Sequence, residues 1–211
     1  MTRIWLVRHG EAHVNSGRDD GLIHVVDEDG LTEMGIEQAA RLRDRIAKQT
    51  DVRPDVVIAS TFRRASQTAE IASESLRVPI VHNDAVQEWR IGPDAEGVTF
   101  DEAIAAWERV CRGEGHDERL TPLTETHNEF IARVDAELLR IASEYEGQEV
   151  LVFTHGGVIT RSFQTFMGLS QATPLSGVHP RHTGLTEWTL VEQFGAPTWV
   201  LARYNDATHL P

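Results

Sequence analysis

The amino-acid sequence predicts an α/β fold, a three-layer α/β/α sandwich with a mainly parallel central sheet and an antiparallel edge strand near the C-terminus. Four short, continuous apolar runs alternate with segments of helical periodicity, as in strands that are covered on both faces and joined by crossover helices. Two segments of alternating polarity close the chain, at residues 185–191 and 198–204, and predict a hairpin or an edge pair. Residues 1–211 are expected to form a single domain.

The first apolar run, residues 4–7, stops at Arg8, and His9, Gly10 and Glu11 follow it. Arginine has a planar fork that matches phosphate oxygens, and histidine can act as a nucleophile or a base near neutral pH. Glycine lets the backbone approach a ligand closely. This loop therefore suits an anion, although the tripeptide alone leaves open the alternative of a structural histidine at the end of a strand.

A polar stretch over residues 16–30 predicts a long surface loop. Thr32 is then expected to cap the N-terminus of a helix. The residues whose helical spacing predicts the buried face of this helix are Ile36, Ala39, Ala40, Ile46 and Ala47.

The second apolar run, residues 56–59, is followed at once by a predicted helix. Arg63 and Arg64 lie in the first turn of this helix, where cations oppose the helix dipole. We expect that one of them faces solvent and that the other binds an anion; the alternative is that both are tolerated without a role. A third short strand is predicted at residues 78–81, and it leads to a charged loop around Glu88.

The fourth apolar run, residues 149–154, is followed by His155 and by two glycines, Gly156 and Gly157. A short helix is predicted after them, at residues 158–167. Two capping boxes predict the helices that precede this strand, at Thr99 with Glu102 and at Thr126 with Glu129.

Ligands of open α/β sheets bind at the carboxyl ends of the strands. The four predicted strands end at or near residues that can bind or transfer an anionic group, namely Arg8 with His9, Arg64, Glu88 and His155. Two histidines, two arginines and a glutamate that meet at one edge of a sheet indicate a site for phosphoryl transfer.

The composition narrows the classes of partner and cofactor. Lys and Arg number 20 and Asp and Glu number 33, so the net charge is −13, and neither nucleic acid nor a membrane is expected as a partner. The apolar runs are too short for a signal peptide or a membrane span, which predicts a cytoplasmic protein. The single cysteine, Cys111, excludes an internal disulfide and is expected to be a packed thiol. No histidine spacing matches a zinc template, so no metal and no cofactor are expected.

Residues 8–15, Arg-His-Gly-Glu-Ala-His-Val-Asn, resemble the signature of the histidine phosphatase superfamily, the phosphoglycerate-mutase-like enzymes. The resemblance extends over most of the chain, through residues 31–39, residues 60–69, Glu88 and residues 154–156. It is a resemblance to the phosphatase branch of that superfamily, and it implies the α/β/α fold predicted above.

The resemblance also implies a role for each candidate residue. His9 attacks phosphorus and becomes a phosphohistidine, for which its attacking nitrogen must be neutral while a backbone carbonyl holds its other nitrogen. Glu88 gives a proton to the leaving alkoxide and then activates water; the alternative is that it only pairs with Arg90 at the surface. The phosphate ligands that the resemblance implies are Arg8, Asn15, Arg64, His155 and Gly156.

The sequence departs from the family pattern in two places. Residues 60–62 are Ser-Thr-Phe where Ser-Pro-Leu is common, so a rigid proline is missing before the helix that carries Arg64. Residues 124–126 are Thr-Glu-Thr where many sugar-phosphate phosphatases carry Gly-Glu-Ser, so no substrate subgroup is assigned.

Residues 90–122 are expected to form a cap insertion over the site. The aromatic residues around it line a substrate pocket or pack in the core; these are Trp89, Phe100 and Trp107. His179 and His182 flank Pro180 and Arg181 in a loop that is expected to border the site, and no role is assigned to them.

The function predicted from these features is a metal-independent phosphatase that hydrolyses phosphate monoesters of small metabolites through a phosphohistidine on His9. Its expected partner is a small phosphorylated substrate, and the C-terminal edge pair offers a surface for a homodimer. A phosphoglycerate-type phosphomutase is the main alternative, because it shares the first half-reaction. A phosphoprotein phosphatase and a non-catalytic module that binds phosphorylated ligands remain open as well.

Overall fold

The computed structural model describes residues 1–15, 30–48, 50–170 and 177–211. Most of the polar stretch at residues 16–30 lies outside the described residues, as do the side chains of Asn15, Phe100, Trp107 and Cys111. The predictions made for these positions therefore stay predictions.

The described part of the chain forms a six-stranded sheet in the order β3-β2-β4-β1-β5-β6. The strands are β1 (Arg3–Arg8), β2 (Val56–Ser60), β3 (Ile80–Asn83), β4 (Glu149–Thr154), β5 (Leu185–Gln193) and β6 (Ala196–Asp206). Strands β1 to β4 pair in parallel, whereas β5 pairs antiparallel with both β1 and β6. The predicted α/β class, with its mainly parallel sheet and antiparallel C-terminal strands, is confirmed.

Helices cover both faces of this sheet. They are α1 (Glu33–Ala47), α2 (Arg63–Ala72), α3 (Phe100–Cys111), α4 (His127–Glu144) and α5 (Gly156–Met167). Alternate side chains of β1 enter two separate cores: Ile4 and Leu6 pack with residues of α4 and α5, and Trp5 and Val7 pack with residues of α1 and α2. Burial on both faces explains why the β1 sequence is continuously apolar.

The buried face of α1 differs from the prediction. Thr32 does cap this helix, because its side chain accepts a hydrogen bond from the Gly35 N–H. However, Ile36 is exposed, and the buried residues of α1 are Gly35, Ala39, Leu42 and Ile46. Gly35 lies against the Glu11 carbonyl so closely that a β-carbon would collide with it. This backbone contact turns Gly35, and not Ile36, toward the core.

Two other element boundaries are shifted. Strand β3 begins at Ile80, two positions beyond the predicted start, because its pairing with β2 aligns Val57 with Ile80. It is an edge strand whose residues are only partly buried, so the run of apolar residues does not indicate where the strand begins. Helix α5 begins at Gly156, directly after His155, rather than at residue 158.

The C-terminal strands form the predicted hairpin, joined by Phe194 and Gly195. Both turn residues have positive φ, 54° and 79°, as a two-residue hairpin turn requires. Among the helices of the described residues, none has the length and apolarity needed to cross a membrane.

Candidate active site

The carboxyl ends of β1 and β4 place two histidines side by side. Arg8 pairs in register with Thr154, and the His9 N–H donates a hydrogen bond to the Thr154 carbonyl oxygen at 3.0 Å. The rings of His9 and His155 consequently lie with their centroids 5.2 Å apart. Both residues are buried, with 3% and 0% of their surface exposed.

A backbone hydrogen bond fixes the tautomer of His9. Its Nδ1 lies 2.7 Å from the Gly10 carbonyl oxygen. A carbonyl can only accept, so Nδ1 carries the proton and Nε2 keeps its lone pair. Arg64 Nε donates to this Nε2 at 3.3 Å. The hydrogen bond to a backbone carbonyl that the sequence analysis required is therefore present.

The surroundings of His9 keep the ring neutral. Burial holds the pKa of His9 well below its ordinary value of 6.5, and the positive charges of Arg64 and Arg8 lower it further. The hydrogen bond to Gly10 opposes these effects without reversing them. An uncharged imidazole with an available lone pair on one ring nitrogen is the form that can attack an electrophile.

His155 is held by Ser60 on the neighbouring strand β2. Its Nε2 lies 2.8 Å from the Ser60 hydroxyl, whose oxygen also accepts from the Phe62 N–H at 3.3 Å. Burial lowers the pKa of His155 well below its ordinary value, and Arg64, His9 and Arg8 lower it further. Its Nδ1 is buried and has no hydrogen-bond partner within the described residues.

Arg8 carries a second unsatisfied nitrogen. Its Nη1 donates to the Pro180 carbonyl oxygen at 2.8 Å, while its buried Nε finds no partner in the part of the chain that is described. Burial lowers the pKa of Arg8, and the nearby Glu88 carboxylate opposes this. Buried polar groups are nearly always hydrogen-bonded, so two such nitrogens at one site indicate room for an acceptor ligand.

The two arginines at the start of α2 point in different directions. Arg63 forms an ion pair with Glu70 at 3.2 Å, and its side chain is 46% exposed. Arg64 faces His9 instead, and its guanidinium lies 4.9 Å from the centre of the Phe62 ring. This placement agrees with one solvent-facing arginine and one at the site, while the binding of an anion stays a prediction.

The Glu88 carboxylate is held at the site by a hydrogen bond from the first turn of α5. Its Oε2 accepts a hydrogen bond from the Gly157 N–H at 2.9 Å, and its Oε1 accepts from the Trp89 N–H at 3.1 Å. A β-carbon on Gly157 would collide with Glu88 Oε1, so this contact requires glycine. Arg90 does not take up the carboxylate, since it donates to Gln87 Oε1 and to the Asp84 carbonyl.

The other predicted phosphate ligands are placed only in part. Gly156 is the first residue of α5, and a β-carbon there would lie 3.8 Å from Arg8 Nε, so its backbone borders the unsatisfied edge of that arginine. Asn15 ends a 3₁₀ turn at His13–Asn15, but its side chain lies outside the described residues. The structure thus brings His9, Arg8, Arg64, His155 and Glu88 together with the backbone of Gly156.

A third histidine, to which the sequence analysis gave no role, also lies at this site. His182 Nδ1 lies 3.0 Å from the His9 carbonyl oxygen, and the two rings are 5.6 Å apart. Burial and the charge of Arg8 lower its pKa. The available signal was topological: a strand antiparallel to β1 begins where β1 ends, so the loop before Leu185 had to reach this edge.

Thr68 of α2 supports the same loop, because its hydroxyl oxygen accepts from the Gly10 N–H at 3.0 Å. The site thus presents two guanidinium groups and neutral imidazoles around buried, unsatisfied nitrogens, together with one carboxylate at its edge. This arrangement can hold a phosphate dianion in front of His9 Nε2. Among the described residues, no group of three or more His, Cys, Asp or Glu side chains is arranged to hold a metal ion.

Several known proteins are similar to this chain in sequence and architecture. A family model described as histidine phosphatase superfamily (branch 1) matches residues 4–207. PhoE, an uncharacterized phosphatase from Bacillus subtilis, is 29% identical over 214 residues, which cover 100% of this chain and 97% of PhoE. A metal-independent phosphoserine phosphatase from Arabidopsis thaliana is 28% identical over 222 residues, with 100% of this chain and 84% of that protein covered.

Among solved structures, a mutant phosphoserine phosphatase from Entamoeba histolytica in complex with phosphoserine superimposes with a TM-score of 0.77. The alignment covers 100% of both chains at 22% sequence identity. At this identity the similarity demonstrates a shared fold.

Proposed function

The chain belongs to the histidine phosphatase superfamily, and on that premise we propose that it is a metal-independent phosphatase that hydrolyses phosphate monoesters of small metabolites through a phosphohistidine on His9. The family and its phosphatase-named relatives support a phosphoric monoester hydrolase. The observation that carries the proposal is the fixed, neutral His9 ring, whose Nδ1 is bound to the Gly10 carbonyl oxygen and whose Nε2 faces Arg64.

In the first half-reaction, His9 Nε2 forms a bond to phosphorus while the ester P–O bond breaks. Arg8, Arg64 and His155 donate hydrogen bonds to the phosphoryl oxygens, with the backbone of Gly156 and the side chain of Asn15 as further ligands. Arg8 Nε and His155 Nδ1, the two buried nitrogens without partners in the described residues, would gain acceptors in this way. Charge stabilisation and positioning account for most of the catalysis of such a step.

Glu88 moves the protons in both half-reactions. Its protonated carboxyl gives a proton to the leaving alkoxide, so the alcohol departs uncharged. Water then gives a proton to the Glu88 carboxylate and attacks phosphorus, the N–P bond breaks, and inorganic phosphate leaves. The proton that Glu88 gave to the alkoxide is thereby replaced, and His9 is free to react again.

Phosphoserine is the first substrate to test. The Arabidopsis relative and the Entamoeba structure are both named as phosphoserine phosphatases, and the latter is in complex with phosphoserine. Residues 90–122, which contain α3 and the short 3₁₀ turn at Pro93–Ala95, are proposed as the cap that selects the substrate. The cytoplasmic location and a homodimer formed through β6, the strand at the edge of the sheet, stay predictions.

The test is phosphate release from a panel of phosphate monoesters with EDTA present, using the wild type, His9→Ala and His82→Ala. His82 is an exposed histidine of β3 and serves as the matched control. We expect turnover that survives EDTA, is unchanged in His82→Ala and is abolished in His9→Ala. Undiminished turnover in His9→Ala would refute the mechanism.

The same experiment separates the alternatives. Transfer of phosphate between two hydroxyls of a bound sugar acid, in place of phosphate release, would identify a mutase. Binding of phosphate esters without any turnover would identify a binding module.

A further inference from the structure

The loop that carries Glu88 is held by an arginine from another element. We call residues 85–90 the acid loop. Arg133, on α4, donates hydrogen bonds to three of its backbone carbonyl oxygens: Ala85 and Gln87 at 3.0 Å each, and Glu88 at 3.3 Å. The acid loop begins in a 3₁₀ turn at Asp84–Val86 and continues without regular structure. Backbone carbonyls in such a segment need partners from other elements, and here one guanidinium satisfies three of them.

Glu125 completes this contact from the segment before α4. Its carboxylate binds Arg133 through both oxygens, at 2.7 Å each, and the side chains of Glu125 and Arg133 are only 8% and 13% exposed. Glu125 also binds the acid loop directly. Its carboxylate accepts from the Arg90 N–H at 3.1 Å, its N–H donates to the Arg90 carbonyl at 2.9 Å, and its carbonyl accepts from Trp89 Nε1 at 2.5 Å.

A further anchor of the acid loop comes from the sheet. The Thr154 hydroxyl, at the end of β4, donates to the Val86 carbonyl oxygen at 2.7 Å. The acid loop is thus fixed along its length, and the carboxylate of Glu88 extends from a backbone that Arg133 and Glu125 hold in place. A shift of about 1 Å in a proton donor can reduce a rate about 10²-fold.

We propose that Arg133 and Glu125 form a clamp that positions Glu88 for proton transfer to the leaving group. The inference rests on the proposed function, in which Glu88 is the acid. Arg133 and Glu125 are positioning residues, since their hydrogen bonds are to each other, to the backbone of the acid loop and, through the Glu125 carbonyl, to the Trp89 indole. Arginine suits position 133 better than lysine, because its planar fork binds the Glu125 carboxylate through Nε and Nη2 while Nη1 reaches the Ala85 and Gln87 carbonyls.

Loss of the clamp has a kinetic signature that simple destabilisation lacks. An alkyl phosphate such as phosphoserine has a poor leaving group, and its P–O bond breaks only if the alkoxide is protonated. p-Nitrophenolate leaves without a proton. Because kcat/KM reports the steps up to formation of the phosphoenzyme, a misplaced Glu88 lowers kcat/KM for the alkyl phosphate and leaves that for p-nitrophenyl phosphate nearly unchanged.

The test variant is Arg133→Met combined with Glu125→Gln, since removal of Arg133 alone would leave a buried carboxylate unpaired. The matched control is Arg161→Met combined with Asp135→Asn. Arg161 and Asp135 form another ion pair with two short contacts, 2.6 and 2.5 Å, between α5 and α4, and their other contacts are to Gln164 and Thr165. Urea unfolding of each variant measures how much stability it loses.

We expect the clamp variant to lose about 10²-fold in kcat/KM for the alkyl phosphate and less than about 3-fold for p-nitrophenyl phosphate. Arg133→Lys should recover part of the loss. The control variant should lower kcat/KM equally for both substrates or leave both values unchanged. In a Glu88→Gln background, the clamp substitutions should cause no further loss of kcat/KM for the alkyl phosphate. Equal losses for both substrates, or a further loss in that background, would overturn the inference.

The two proposals fail in different ways. If Glu88→Gln itself lowers kcat/KM equally for both substrates, the assignment of Glu88 as the acid is wrong, and the proposed function fails with it. If Glu88→Gln lowers kcat/KM for the alkyl phosphate but not for p-nitrophenyl phosphate, and the clamp variant does not, only the clamp is refuted.

Discussion

Arg64 Nε lies 3.3 Å from His9 Nε2, and it donates its hydrogen to the lone pair of that nitrogen. The contact joins the first turn of α2 to the carboxyl end of β1, so it depends on the packing of α1 and α2 on one face of the sheet. In the proposed mechanism, a phosphoryl group that enters between the two side chains accepts the hydrogen bond from Arg64 and the electron pair from His9. The proposal therefore assigns the reaction to the space between these two residues.

Replacement of Arg64 tests this geometry. Arg64→Ala is expected to lower kcat about 10²-fold or more, because one of the donors that stabilise charge on the phosphoryl oxygens is lost. Arg63→Ala is the control, since Arg63 is the preceding residue of the same helix turn and pairs with Glu70. Steady-state kinetics of both variants on one phosphate ester decides the matter. Equal effects of the two substitutions would show that Arg64 has no special role.

Gly157→Ala should displace the Glu88 carboxylate without removing its charge. A β-carbon at position 157 collides with Glu88 Oε1 and lies 3.2 Å from the Phe130 ring, so the carboxylate has to leave the first turn of α5. We expect a loss of about 10²-fold in kcat/KM for an alkyl phosphate, measured as phosphate release. At Gly177 an added β-carbon meets no atom within 4 Å among the described residues, and Gly177→Ala should retain full activity. Full activity of Gly157→Ala would mean that the carboxylate need not occupy this position.

The buried histidines predict how stability depends on pH. The pKa values of His9 and His155 lie well below 6.5 in the folded protein, so the unfolded chain binds more protons than the folded one once the pH drops below that value. The free energy of unfolding should therefore fall as the pH falls from about 6.5 toward the folded-state pKa values, by up to about 1.4 kcal/mol per pH unit for each histidine. It should be insensitive to these two groups above pH 7.

Urea unfolding at pH 7.5 and pH 5.5 measures this effect. The difference in free energy between the two pH values should shrink in a variant that carries both His9→Asn and His155→Asn. It should not vanish, because burial also lowers the pKa values of His127 and His209 to about 4. An unchanged difference in the double variant would contradict the assignment of neutral histidines at the site.

The cap of α1 offers a test of local stability. Thr32→Ala removes the side-chain acceptor of the Gly35 N–H and should lower the free energy of unfolding by about 1 kcal/mol. Thr32→Ser keeps the acceptor and should lower it much less. Chemical denaturation of both variants gives the comparison, and equal losses would show that the hydroxyl does not act as a cap.

The sequence was sufficient to predict the arrangement of the site because that arrangement follows from the sheet. Parallel strands that end at Arg8, Ser60 and Thr154 bring the loops that follow them to one edge, and each of those ends is marked by an abrupt change from apolar to polar residues. The C-terminal hairpin was recognisable from its alternation. Thr32, Thr99 and Thr126 all cap helices as predicted, because a cap is a local interaction between residues three apart.

The features that sequence reasoning missed depend on contacts between distant elements. His182 reaches His9 because β5 begins beside the end of β1, and the sequence does not show which histidine of the preceding loop lies against His9. The buried face of α1 is set by the contact of Gly35 with the Glu11 backbone, which periodicity cannot show. Arg133 looks like any polar residue of an amphipathic helix until the fold places it beneath the acid loop.

The central claim, a phosphohistidine on His9, is tested most directly by trapping the phosphoenzyme. The Glu88→Gln protein is incubated with p-nitrophenyl phosphate that carries radioactive phosphorus, and the reaction is quenched rapidly. The phosphoenzyme should form, because this leaving group needs no proton, and it should be hydrolysed slowly, because the attacking water still needs a base. We predict a label that is stable to alkali, labile to acid and mapped to His9 by peptide sequencing, and no label in the His9→Ala protein. Rapid turnover by the wild type with no trapped label, or a label on another residue, would contradict the account.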